Sequence, residues 1–221
     1  MKKIIPMVSF LFLLARCEQD QTKKIDNEEG SFTLQPTEQY GRGAKSDGQD
    51  TNSEEEPTRI ITNDSQELIV YFSRSGNTEN LAHLVHRETN ADSLELSIKD
   101  PYPADYEETV ERADQERETG QFPELDTDIP DLSQYKRIYL GYPIWSMTLV
   151  NPMIRFLQDH GNEIDGKEIV AFSTSAGYGE GQSVERIQEL LPNAKIISRF
   201  SIEDSKVVDS EEEILDWLRG I

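Results

Sequence analysis

Cysteine is nearly absent: Cys17 stands alone in 221 residues. No disulfide can form within the chain, and no cysteine-based metal site can be assembled. Basic residues are scarce too, with 22 Lys and Arg against 43 Asp and Glu, for a formal net charge of −21. That balance argues against nucleic acid as a partner, because such binding rests on neutralising phosphates. Histidine occurs 3 times. His83 and His86 read as residues of a solvated helix face, and His160 as a helix-end residue favoured by the dipole. No Ser–His–Asp set can be assembled from them. Neither GxxxxGK[ST] nor a strand-following GxGxxG occurs, which argues against the common nucleotide loops. Apolar runs are short as well. The longest, Ile4–Ala15, falls below the ~20 residues that a membrane-crossing helix needs.

What is present at the N-terminus fits export. Lys2 and Lys3 precede that apolar run, and Cys17 follows Leu14-Ala15-Arg16, where a lipid-accepting cysteine would stand. Arg16 replaces the usual small residue. Lipidation of Cys17 is the favoured expectation, with simple secretion and an uncleaved anchor as alternatives. Residues 18–66 are poor in apolar side chains and rich in Gly, Ser, Thr, Asn, Gln and acids. Such a segment buries too little to offset its ordering entropy, so it reads as a disordered acidic tether. A folded domain over 67–221 is expected to follow.

The most telling stretch is Glu67–Leu84, ELIVYFSRSGNTENLAHL. Leu68–Phe72 is a continuous apolar run of strand length, as in a strand covered on both faces. From Asn77 the spacing turns helical, with Leu81, Leu84 and Val85 on one side. Ser73, Ser75, Gly76, Asn77 and Thr78 lie between. A helix N-terminus offers unpaired N–H groups and about half a positive charge. Gly76 permits close backbone approach, and the three hydroxyls can donate to an anion. A plain cap by Ser75 or Asn77 is the alternative, but one polar residue suffices for that.

Downstream the pattern alternates: strands over 67–73, 92–97, 136–141, 167–173 and 194–200, and helices over 76–89, 104–119, 148–159, 180–191 and 209–219. Strands alternating with helices predict an α/β fold, a doubly wound parallel sheet of five strands.

SRSGNT (Ser73–Thr78), GYPIW (Gly141–Trp145) and STSAGYGEGQS (Ser173–Ser183) each follow a predicted strand, in that order. Together with PYPADY (Pro101–Tyr106), they resemble the flavodoxin family, the likeness spanning about Glu67 to Ile221. The resemblance implies a flavodoxin-like fold of strand order 2-1-3-4-5 with FMN as cofactor. The ligand would sit at the switch between the first and third strands. Ser73, Arg74, Ser75, Gly76, Asn77 and Thr78 would hold the phosphate. Pro143, Ile144 and Trp145 would wall the ring, with Tyr178 on the other side. Thr174, Ser175, Ala176 and Gly177 would meet the pyrimidine edge. Two departures stand out: Ser146 replaces a second tryptophan, and Ser175-Ala176-Gly177 replaces His-Gly-Gly. No cysteine lies in the phosphate loop, as a phosphatase of similar topology would need, nor an acid where a receiver domain wants one.

The expected function is electron transfer by an exported FMN protein held at a membrane by a lipid anchor. Its partner would be a redox protein or a small-molecule acceptor. An FMN-dependent NAD(P)H:quinone-type reductase and a flavin-free binding lipoprotein remain as alternatives.

Overall fold

A computed structural model describes residues 23–27, 30–34, 56–62 and 64–221. The leader, Cys17 and most of the expected tether lie outside the described residues. Within that tether, β1 (Lys23–Asn27) and β2 (Gly30–Leu34) pair antiparallel as a hairpin, which an expectation of no structure did not include.

The main sheet is built from β3 (Arg59–Ile60), β4 (Glu67–Tyr71), β5 (Asp92–Glu95), β6 (Arg137–Trp145), β8 (Glu168–Ser175) and β9 (Lys195–Glu203). Its order is β3-β5-β4-β6-β8-β9, with the short β7 (Thr148–Leu149) pairing back onto β6. β5, β4, β6, β8 and β9 run parallel, which is the predicted 2-1-3-4-5 order. Strands covered on both faces need unbroken apolar runs. Ile69, Val70 and Phe172 accordingly have no exposed surface.

Among the described residues five helices cover the sheet: α1 (Asn77–Thr89), α2 (Tyr106–Thr119), α3 (Asn151–Ile164), α4 (Ser183–Leu190) and α5 (Glu211–Leu218). α1 and α5 pack with Ile69, Tyr71 and Phe172 on one face. α2, α3 and α4 pack with Leu68, Val70 and Leu140 on the other. At the centre Gly141 brings β6 close to its neighbours, since a Cβ there would lie 2.9 Å from Tyr71 Cβ and inside the Phe172 ring.

The folded unit begins upstream of the expected boundary at 67. β3 adds to β5 antiparallel, through Arg59↔Leu94 and Ile60↔Ser93. Two buried carboxylates of β5 hold it there. Asp92 accepts from Thr62 N at 3.0 Å, Thr62 Oγ1 at 2.7 Å and Tyr135 OH at 2.8 Å. Glu95 accepts from Thr58 N at 3.0 Å and Tyr71 OH at 3.1 Å. Buried carboxylates with several donors are satisfied rather than stranded.

The histidine pair corrects another expectation. His83 and His86 are 5% and 8% exposed, not on a solvated face. His86 Nδ1 lies 2.7 Å from Ala91 O, and His83 Nε2 lies 3.5 Å from Thr58 Oγ1. Burial, with His86 beside it, lowers the His83 pKa to about 3, so it stays neutral at ordinary pH. No group of His, Cys, Asp or Glu suited to a metal occurs among the described residues.

Candidate functional site

Where the connections after two neighbouring parallel strands depart to opposite sides of the sheet, a crevice opens at the strands' carboxyl ends. Here β4 and β6 are the central neighbours, and a cavity of about 480 Å³ lies above them. Arg74, Ser75, Asn77 and Thr78 line it from the loop after β4. Pro143, Ile144 and Trp145 line it from the end of β6, and Thr174, Ser175, Ala176 and Tyr178 from the end of β8. Ser73, Gly76 and Gly177 stand behind this wall rather than in it.

The first loop is arranged by its backbone. Gly76 is the N-cap of α1 with φ at +84°, and no side chain caps the helix from that position. The capping alternative for Ser75 or Asn77 is therefore not what the chain adopts. Ser73 Oγ accepts from Gly76 N at 3.1 Å and so shapes the loop from behind. Thr78 Oγ1 lies 2.8 Å from Thr174 Oγ1, both residues 2% exposed. That pair joins the first loop to the third across β6. Arg74 donates from Nη2 to Pro103 O at 2.7 Å and Ala104 O at 2.8 Å, which ties the loop to the PYPADY segment. Its Nε is buried and has no hydrogen-bond partner, in a side chain that lines the cavity. A buried donor without a partner is rare and marks a place for an acceptor. A phosphate at the α1 N-terminus supplies one, so this end fits a phosphate group.

The far end is aromatic and apolar. Trp145 packs edge-on against Tyr102, at a centroid distance of 4.9 Å, and against Phe72 at 6.1 Å. It is half-buried, so it serves both as core and as cavity wall. Tyr178 is 64% exposed at the mouth and Met147 is 48% exposed nearby.

Sequence reasoning missed one wall. Tyr106, Thr109, Val110, Ala113 and Arg117 of α2 line the cavity, as do Met147 and Asp204. Their spacing of three and four along α2 is one helix face, the signal that could have found them. Behind them Glu116 is buried and accepts from Tyr102 OH at 2.5 Å, Asn151 Nδ2 at 2.8 Å and Arg112 Nε at 2.9 Å. The Arg112 guanidinium lies 4.5 Å over the Tyr102 ring. Burial and the Glu116 carboxylate push the Tyr102 hydroxyl far up, so it remains a donor.

Comparison with known proteins agrees with this geometry. The family model for flavodoxin matches residues 66–221. A flavoprotein of Lactobacillus acidophilus solved in complex with FMN is 27% identical, with a TM-score of 0.54, covering 67% of this chain and 99% of its own. A flavoprotein of Bacteroides uniformis is 22% identical, with a TM-score of 0.61, covering 70% and 98%. One of Bacteroides eggerthii is 23% identical, with a TM-score of 0.60, covering 72% and 98%. The two Bacteroides structures share the fold. No curated protein sequence matches the chain.

Proposed function

The chain belongs to the flavodoxin family, and from that premise we propose that it binds FMN and carries electrons. The observation that carries this reading is one cavity at the β4/β6 switch with a phosphate cradle at one end and Trp145 at the other. When bound, the flavin supplies the redox chemistry. The residues bind and orient it. Ser75, Thr78 and the Arg74 Nε face the phosphate at the α1 N-terminus, and Pro143, Ile144 and Trp145 exclude water from one side of the ring. Thr174–Ala176 offer backbone and hydroxyl groups to the pyrimidine edge.

Absorbance on adding FMN tests the reading. The protein is expected to bind it one to one, and dithionite is expected to reduce it in two separable one-electron steps. Rapid reduction by NAD(P)H would instead assign the chain to the reductase class. No FMN binding at all would remove both readings and favour a flavin-free lipoprotein.

The second element of the proposal is location: an extracytoplasmic protein held to the membrane through Cys17. Its support is the leader, Lys2 and Lys3 followed by Ile4–Ala15 and then Cys17, with an acidic spacer after it. Cys17→Ser is expected to move the protein from the membrane fraction to the soluble fraction. An unchanged distribution would contradict the anchor. Among the described residues no helix is long and apolar enough to cross a membrane.

A further inference from the structure

The chain reverses between Trp145 and Thr148, which pair across the β6/β7 hairpin. The two residues of the reversal, Ser146 and Met147, have φ of +48° and +60°. Two consecutive left-handed residues make a type I′ turn, normally built from Asn-Gly or similar pairs. Neither residue here is of that kind, so the turn is strained and its surroundings must hold it. Arg117 does so from α2. It donates from Nη2 to Ser146 Oγ at 2.7 Å and from Nη1 to Asn151 Oδ1 at 3.0 Å. Ser146 Oγ in turn donates to Asp114 Oδ1 at 3.3 Å. On the opposite side Gln182 N donates to Met147 O at 2.8 Å.

Position and charge give Arg117 a second part. Its side chain is 18% exposed and lines the cavity at the end where Trp145 stands. Its partner Asp114 is 52% exposed, so water screens the carboxylate more than the guanidinium. The guanidinium pairs with Asp114 Oδ1 at 2.5 Å and shares the cavity lining with Asp204, so it offsets carboxylate charge there in a strongly acidic chain. Taking that positive charge away would disfavour a ring that has gained electrons relative to one that has not.

We propose that Arg117 is the positioning residue of the ring end: it clamps the Trp145–Thr148 turn and raises the reduction potential of the flavin bound there. This rests on the FMN reading, and the variants separate its two parts. Arg117→Met removes clamp and charge. It is expected to weaken FMN and riboflavin alike, by about tenfold for the lost hydrogen bonds, and to lower the midpoint potential. Ser146→Gly relieves the left-handed strain and keeps the charge, so its potential is expected to match the parent protein. Combining the two is expected to restore affinity while the potential stays low. If Arg117→Met does not fold, Arg117→Lys keeps the charge without the fork and is expected to lose affinity at an unchanged potential.

An unchanged potential in folded Arg117→Met overturns the proposal. So does an Arg117→Met protein that loses FMN much more than riboflavin, which would place Arg117 at the phosphate end. Failure of the parent protein to bind FMN is a separate result, read in the same titration, and removes the cofactor reading itself.

Discussion

Replacing Ser75 with Ala and Thr78 with Val together is expected to weaken FMN binding by about a hundredfold or more while riboflavin binding changes little. The two ligands share a ring and differ in the phosphate. A hydrogen bond to a charged group contributes about 1.5–3 kcal/mol, and each 1.4 kcal/mol is tenfold in affinity. Two such bonds are lost here, from loop positions that line the cavity at the α1 N-terminus. The macrodipole and the Arg74 Nε remain, so binding of FMN is weakened rather than abolished. Thr78→Val also strands the buried Thr174 hydroxyl, 2.8 Å away. A Thr174→Val control separates that cost from the loss of a phosphate donor. Fluorescence quenching of both ligands measures the effect. Equal loss of FMN and riboflavin would contradict the phosphate assignment, because nothing in the ring distinguishes them.

The fold was legible where a residue's local chemistry and its tertiary surroundings agree. The apolar run Leu68–Phe72 must be a doubly covered strand, and β4 ends two residues short of the predicted 73 because the chain turns there. The helix expected over 148–159 begins at Asn151 instead. Thr148 and Leu149 pair back onto β6, and Pro152 suits the first helical turn. β3 was illegible for a different reason. Two residues carry no periodicity, and its hold comes from Asp92 and Glu95 some thirty positions away. Composition read the segment before 67 as a disordered tether. His83 and His86 failed the same way: a helical wheel sorts them as polar, but α1 is enclosed by the sheet, α5 and the segment around Thr58.

The candidate site divides along the same line. Hydroxyl-rich and glycine-rich loops announce themselves because only short, permissive residues let backbone approach an anion. The α2 wall does not, since Val110, Ala113 and Arg117 look like any amphipathic helix until the loop after β5 aims them at the crevice. Arg74 was legible as part of the SRSGNT loop, but its ties to Pro103 and Ala104 depend on a turn that sequence spacing does not specify.

The largest stability effect is expected at Glu116, which joins that wall to the ring end. Its carboxylate is 11% exposed and accepts from Tyr102, Asn151 and Arg112. Removing one partner of a buried charge pair costs about 3–5 kcal/mol, because the other charge and its donors are left in place. Glu116→Ala strands the buried Tyr102 hydroxyl and takes one acceptor from Arg112 and Asn151, but Arg112 still donates to Pro101 O and Asp100 O and Asn151 Nδ2 to Ala113 O, so the cost is expected near the lower end. Glu116→Gln keeps one acceptor oxygen for Tyr102 and Asn151 but sets its amide nitrogen, a donor, opposite Arg112 Nε, so it is expected to recover only about 1 kcal/mol of that loss. Denaturant midpoints measure both. The damage also reaches the pocket. Tyr102 packs on Trp145 at 4.9 Å, so freeing its hydroxyl loosens the wall that Trp145 forms. In a Trp217→Phe background, where Trp145 reports alone, its emission is expected to shift to the red in Glu116→Ala. A Glu116→Ala protein within about 1 kcal/mol of the parent, with unshifted emission, would show that Arg112 and Tyr102 find solvent or new partners. The carboxylate would then be dispensable to the wall, and the ring end would be held by the Arg117 clamp and the β6/β7 pairing alone.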